Sequence, residues 1–205
     1  MADMRGFRDA VTGWVAGGPG ELAGELAVRL CVRTAVLLEG PSDVAAVEAL
    51  AARHGRDLAA EGVCIVSMGG AMNVGRYAGL LGPPGLGLRL AGLCDEGEQS
   101  FFDRALERAR APRHGFFVCV SDLEDELIRA LGVAQVEEVV EAEGDLPAWR
   151  TFVRQPAHRG RQPEGQMRRF LGTKKGRKIR YGRLLTEALD PGRVPDPLRN
   201  LLAAL

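Results

Sequence analysis

The chain has 205 residues, 46% of them hydrophobic and 5% aromatic, with 27 Lys/Arg against 27 Asp/Glu. That length holds one well-buried α/β domain with an appendage and is short for two independent domains. Arg29 and Arg33 interrupt the most apolar early segment and the amino terminus lacks the order of a signal peptide, so a cytoplasmic protein without a membrane segment is expected.

The zero net charge hides a split. Residues 1–149 carry 13 Lys/Arg against 23 Asp/Glu, and residues 150–205 carry 14 against 4, so the two parts are −10 and +10. A neutral total therefore does not exclude a polyanionic partner. Cys31, Cys64, Cys94 and Cys119 show no metal-ligand spacing, and three of them sit in apolar runs, which reads as buried free thiols in a reducing compartment.

Residues 3–31 read as two helices, one around Phe7–Val15 and one from Pro19-Gly20-Glu21 to Leu30, packed as a lid on the domain after them. Thr34-Ala35-Val36-Leu37-Leu38 is a buried strand that ends in Glu39, turns on Gly40-Pro41 and restarts as an amphipathic helix with Asp43 in its first turn. Asp43 there reads either as a helix-terminal charge favoured by the dipole or as part of a site at the strand's carboxyl end. Residues 62–67 form a second strand, and Met68-Gly69-Gly70 leads into a helix carrying Asn73, Arg76 and Tyr77. The glycine pair reads either as a turn or as backbone N–H donors for a phosphate.

Residues 88–94 form a third strand ending in Asp95, followed by a helix from about Glu98 to Arg110. Residues 116–120 form a fourth strand, after which Ser121 caps a helix with an acidic first turn, Asp122-Leu123-Glu124-Asp125-Glu126. Alternating strands and helices imply right-handed βαβ units and a mostly parallel sheet. All strands then point one way, and Glu39, Asp95 and Asp122/Glu124 gather along one edge. Clustered carboxylates repel one another unless a cation joins them, and Mg²⁺ is the usual choice where a phosphate completes the shell.

From about Glu137 the chain is helical and irregular, and residues 150–183 carry 12 Lys/Arg against the single acid Glu164. Residues 166–171 read as one helix, and the run from Gly172 to Tyr181 opens another, in which Ile179, Leu184, Leu185 and Leu189 pack on the domain. Such a one-signed run beside an acidic edge reads as a phosphate-binding surface. A short closing helix comes after Pro195 and Pro197.

Three motifs together, Leu38-Glu39-Gly40-Pro41-Ser42-Asp43, Asp122-Leu123-Glu124 and Gly176-Arg177-Lys178-Ile179-Arg180-Tyr181, resemble the TOPRIM domain. They look most like the TOPRIM half of the OLD (overcoming lysogenization defect) endonucleases, over about residues 32–203. The resemblance implies a Rossmann-like α/β fold with a mostly parallel four-stranded sheet flanked by helices. It divides the chain into a helical extension (1–31), a TOPRIM core (32–132) and a basic helical region (133–205). It implies two Mg²⁺ or Mn²⁺ ions held by Glu39, Asp43, Asp95 and Glu124, with Glu98 and Asp122 as further candidates. Glu39 and Lys178 would be catalytic in phosphodiester hydrolysis of DNA or RNA, and Arg168, Arg169, Lys174, Lys175, Arg177 and Arg180 would hold the nucleic acid.

Two departures stand out. The family's DxD is here Asp95-Glu96-Gly97-Glu98, so Glu98 or Glu96 must substitute for the second Asp. No GxxxxGK[ST] motif is present, so the chain looks like a stand-alone TOPRIM protein whose ATP control would come from another chain. The competing readings are a binding module with a weakened site and, less well supported, strand transfer of the topoisomerase or primase type. For the last, Tyr77 and Tyr181 sit in helical patterns that favour packing over nucleophilic attack.

Overall fold

A computed structural model of the chain describes residues 4–174 and 176–205. Lys175, expected among the nucleic-acid-binding cations, lies outside the described residues, as do the first three residues of the expected extension.

Two helices, α1 (Met4–Val15) and α2 (Glu21–Arg29), precede β1 (Thr34–Leu38). The chain continues through α3 (Pro41–Arg53), β2 (Val63–Ser67), α4 (Val74–Leu81), β3 (Arg89–Asp95), α5 (Gln99–Arg108) and β4 (Phe116–Cys119). Six further helices close it: α6 (Leu123–Leu131), α7 (Val133–Ala142), α8 (Leu146–Arg154), α9 (Pro163–Leu171), α10 (Arg177–Ala188) and α11 (Asp196–Ala204).

The sheet is four-stranded and wholly parallel, in the order β2-β1-β3-β4. β1 is buried at every residue because it lies between two strands with helices on both faces, which is why its sequence is a continuous apolar run rather than an alternating one. Its alternate side chains serve two cores. Val36 and Leu38 meet α3, α6 and the carboxy-terminal helices, while Ala35 and Leu37 meet α1, α2, α4 and α5. The chain leaves β1 toward β2 and later returns to β3 on the other side of β1. The gap between β1 and β3 at their carboxyl ends is therefore the topological switch point, where open α/β sheets bind ligands.

Helices α3 and α10 pack backbone against backbone. A Cβ added to Gly182 would lie 2.6 Å from the Ser42 carbonyl oxygen, so only glycine permits this approach. Around it Tyr181, Leu185 and Leu189 are buried, Leu184 is partly buried, and Ile179, expected to pack, points outward at 40% exposed. Ile179 faces away because it is two residues from Arg177 and Tyr181, the positions that turn inward on this helix.

Several local expectations change. Ser121 does not cap α6; it adopts a left-handed conformation (φ 72°), and Asp122 is the cap, its Oδ1 accepting from the Asp125 N–H at 2.9 Å. The fourth strand stops at Cys119, one residue early, and Asp95 is the last residue of β3 rather than the first beyond it. Gly69-Gly70 is a turn: Gly70 has a φ of 121° and its N–H donates to the Glu39 carbonyl at 3.0 Å, so that donor is engaged within the protein. Cys64, Cys94 and Cys119 are buried free thiols and Cys31 is exposed. No helix among the described residues is long and apolar enough to cross a membrane.

Candidate metal centre and nucleic-acid surface

Three strand-to-helix connections deliver carboxylates to the switch point. Glu39 follows β1, Asp43 lies in the first turn of α3, Asp95 ends β3, and Asp122 and Glu124 open α6. Together with Gly69, Gly70 and Lys178 they line one pocket of about 270 Å³. Pro41 at the start of α3 and the contact from Asp43 Oδ2 back to the Gly40 N–H at 2.8 Å fix the first turn that carries Asp43.

Glu39, Asp95 and Glu98 each offer an oxygen, all within 4.8 Å of one another. Glu98 belongs to a 3-10 turn, Glu96–Glu98, that follows β3 directly. The turn brings Glu98 back over the strand end and leaves Glu96 and Gly97 in solvent. Of the two acids that the sequence left as substitutes for the second Asp of the DxD motif, Glu98 is the one beside Glu39 and Asp95. Its Oε2 is buried with no hydrogen-bond partner.

The electrostatics reflect crowding. Burial, then the Glu124 charge, pushes the Asp43 carboxyl up to about 6. Burial, then Glu39, Asp122 and Glu98, pushes Asp95 up to about 7. Glu98 is raised by burial and by Glu39. Lys178 offsets part of this repulsion: its Nζ lies 3.0 Å from Glu124 Oε2, in a carboxylate that is almost wholly buried. Partial burial works against the ammonium, but Glu124, with Asp43 and Asp122 behind it, outweighs that and holds its pKa above the ordinary value.

Asp122 is differently used. One oxygen caps α6 and the other accepts from Arg168 Nε at 2.7 Å, so both are engaged. The cations expected at the nucleic-acid surface divide in the same way. Arg177 is buried, paired with Asp145 at 3.2 Å and seated over the Phe170 ring at 4.1 Å, so its guanidinium serves the fold. Arg180 pairs with Glu143 and Asp145, and Arg168 with Asp122. Arg169 and Lys174 are exposed and form no ion pair among the described residues. Sequence reasoning missed Asp145, which holds Arg177, Arg180 and Tyr181 together; its only signal was an acid beside Glu143 in the short connection between two helices. Tyr181 donates to Asp145 at 3.1 Å and is fully buried, and Tyr77 is buried as well, so neither presents a nucleophile.

A parallel sheet with acidic residues at the carboxyl ends of β1 and β3 and at the start of α6 is the arrangement of a TOPRIM domain. Residues 30–96 match the family model described as "Overcoming lysogenization defect protein-like, TOPRIM domain". The fold is similar to the C-terminal region of the Burkholderia pseudomallei OLD protein, with a TM-score of 0.64 and 23% identity over 84% of this chain and 96% of that one. Two structures of the C-terminal region of the Xanthomonas campestris pv. campestris OLD protein give TM-scores of 0.61 and 0.60. Their identities are 24% and 25%, over 84% of this chain and 93% and 91% of theirs. No protein of curated function matches in sequence. Residues 30–96 therefore match a TOPRIM domain of the OLD-like type, within a fold shared with the C-terminal regions of OLD proteins.

Proposed function

We propose that the chain is a divalent-metal-dependent nuclease that hydrolyses phosphodiester bonds in DNA. The observation that carries this reading is the meeting of Glu39, Asp95 and Glu98 within 4.8 Å, with Asp43 and Glu124 in the pocket that Glu39 and Asp95 also line and Lys178 the one cation among its described lining residues. The donor set is all oxygen, and burial together with crowding raises the Asp43 and Asp95 pKa values, which fits a hard cation such as Mg²⁺ or Mn²⁺.

In this reading Glu39, Asp95 and Glu98 hold one ion, and Asp43 and Glu124 contribute to a second. A bound Mg²⁺ supplies Lewis acidity and an activated water for attack on phosphorus. Lys178, half exposed at the pocket mouth, releases part of its hold on Glu124 to neutralise charge growing on the phosphate oxygens. Arg169 and Lys174 hold flanking phosphates by charge alone, without reading sequence. The buried free thiols fit a cytoplasmic site of action.

The test is incubation of the protein with supercoiled plasmid and with labelled single strands, in Mg²⁺, in Mn²⁺ and in EDTA. Cleavage with either metal, abolished by EDTA and by Glu39→Gln, is expected. Binding without cleavage under every condition would make this a binding module instead.

A further inference from the structure

A second and larger cavity, about 640 Å³, opens where α8, the turn after it and the connection from α9 to α10 come together. Its floor is aromatic. The Phe152 and His158 rings stack with centroids 3.8 Å apart and planes 20° from parallel, and Phe170 meets Phe152 edge-on at 5.6 Å. The groups lining it that carry charge are all basic: Arg169, Lys174, Arg177 and, when protonated, His158. Two buried polar atoms on its lining residues, His158 Nδ1 and Arg177 Nε, have no hydrogen-bond partner, although both residues are more than nine-tenths buried. Buried polar atoms are rarely left so unless something completes them.

We propose that this cavity is a subsite for one nucleotide unit, with a base over the Phe152–His158 floor and its phosphate held at the rim by Arg169 and Lys174. An inorganic anion would use the rim and leave the floor idle, and a neutral aromatic would leave the two exposed cations idle. The volume lies in the range of small-ligand pockets. Base-on-aromatic contact is tolerant of sequence and requires an unpaired base.

The cavity and the acidic pocket are both lined from the first turn of α10. Arg177 lines the former and Lys178, the next residue, lines the latter. A strand cut beside Lys178 would then lay an unpaired nucleotide near the cut over Phe152 and His158, favouring single-stranded or frayed substrates. That placement rests on the nuclease reading; the affinity of the cavity for a nucleotide does not.

The test is titration in EDTA, so that no metal contributes, with three probes: dAMP, deoxyribose 5-phosphate and a short oligo(dA). The protein is the full chain, as wild type and as Ala148→Glu and Lys174→Glu, two exposed lining positions, with melting curves to show that each variant folds. dAMP should bind about tenfold or more tightly than the baseless sugar phosphate. Either folded variant should lose roughly tenfold in dAMP affinity, and Lys174→Glu serves alone if Ala148→Glu does not fold. The same preference and loss with oligo(dA) would assign the subsite to a strand; confinement to dAMP would assign it to a free nucleotide. Equal binding of dAMP and deoxyribose 5-phosphate, or unchanged affinity in folded variants, overturns the proposal. Absence of cleavage with metals would sink the nuclease reading and leave this titration unaffected.

Discussion

Lys178 Nζ lies 3.0 Å from Glu124 Oε2, joining a half-exposed ammonium to a carboxylate sealed under α10. Lys178→Ala leaves that carboxylate buried without its partner. The cost falls between that of an exposed and a buried broken pair, about 1–2 kcal/mol. In the nuclease reading turnover falls about a hundredfold or more, because an electrostatic donor to the phosphate is lost. Nucleic-acid affinity changes little, since one phosphate contact among several is removed. Denaturant melts beside single-turnover cleavage separate the two effects; full turnover in a folded mutant would take Lys178 out of the chemistry.

Gly182→Ala tests the scaffold rather than the site. The new methyl group meets the Ser42 carbonyl and forces α10 away from α3, the helix whose first turn holds Asp43. Overpacking of this kind costs roughly 1–3 kcal/mol. Because Lys178 sits one turn before Gly182, turnover should drop by more than the stability loss explains. A mutant destabilised yet fully active at low temperature would show that the α3–α10 spacing does not set the position of Lys178.

Glu98→Gln and Glu96→Gln form a matched pair on the same short turn. Glu98 faces Glu39 and Asp95, whereas Glu96 is in solvent. Removing the charge of Glu98 should raise the Mg²⁺ concentration needed for half-maximal cleavage by about tenfold or more, by analogy with other losses of support at metal sites. Glu96→Gln should leave it unchanged. Equal metal requirements in both would mean that Glu98 does not take over from the missing Asp.

Asp43 and Asp95, raised to about 6 and about 7, hold protons more tightly in the folded chain than in the unfolded one, where they titrate near 3.8. Folding then takes up protons between about pH 4 and 7, and the metal-free protein loses stability as pH rises through that window. The thermal midpoint in EDTA should be higher at pH 5 than at pH 8, and Asp95→Asn should flatten the difference. Mg²⁺ should restore the midpoint at pH 8, where the ionised carboxylates bind it, and do little at pH 5. A metal-free midpoint that rises toward pH 8 would contradict the burial and crowding of these two groups.

The sheet and its acidic edge were legible because each strand is a short apolar run ended by a turn residue or an acid, and parallel order is then imposed by the helices between. Glu39, Asp43, Asp95 and Glu124 could be brought to one edge on that logic alone. The sequence could not decide between Glu96 and Glu98, because the choice depends on a single 3-10 turn, and spacing in sequence does not tell a turn from the start of a helix. Nor could it sort the basic run. Arg169 and Arg177 look alike as letters, but one is solvated and the other lies over Phe170 and is paired with Asp145. The partners that decide this are distant in the chain and carry no local signal.

The division of charge along the chain has a consequence for any nucleic acid that approaches. Arg168, Arg177, Lys178 and Arg180, all from the basic part, are bound to Asp122, Asp145, Glu124 and Glu143 of the acidic part. The acidic helices thus stand where a phosphate backbone would, as an internal rival to the ligand. A strand reaching Arg168 or Arg180 exchanges one anion for another and frees few counterions there, so affinity should fall with salt less steeply than a count of the cations implies.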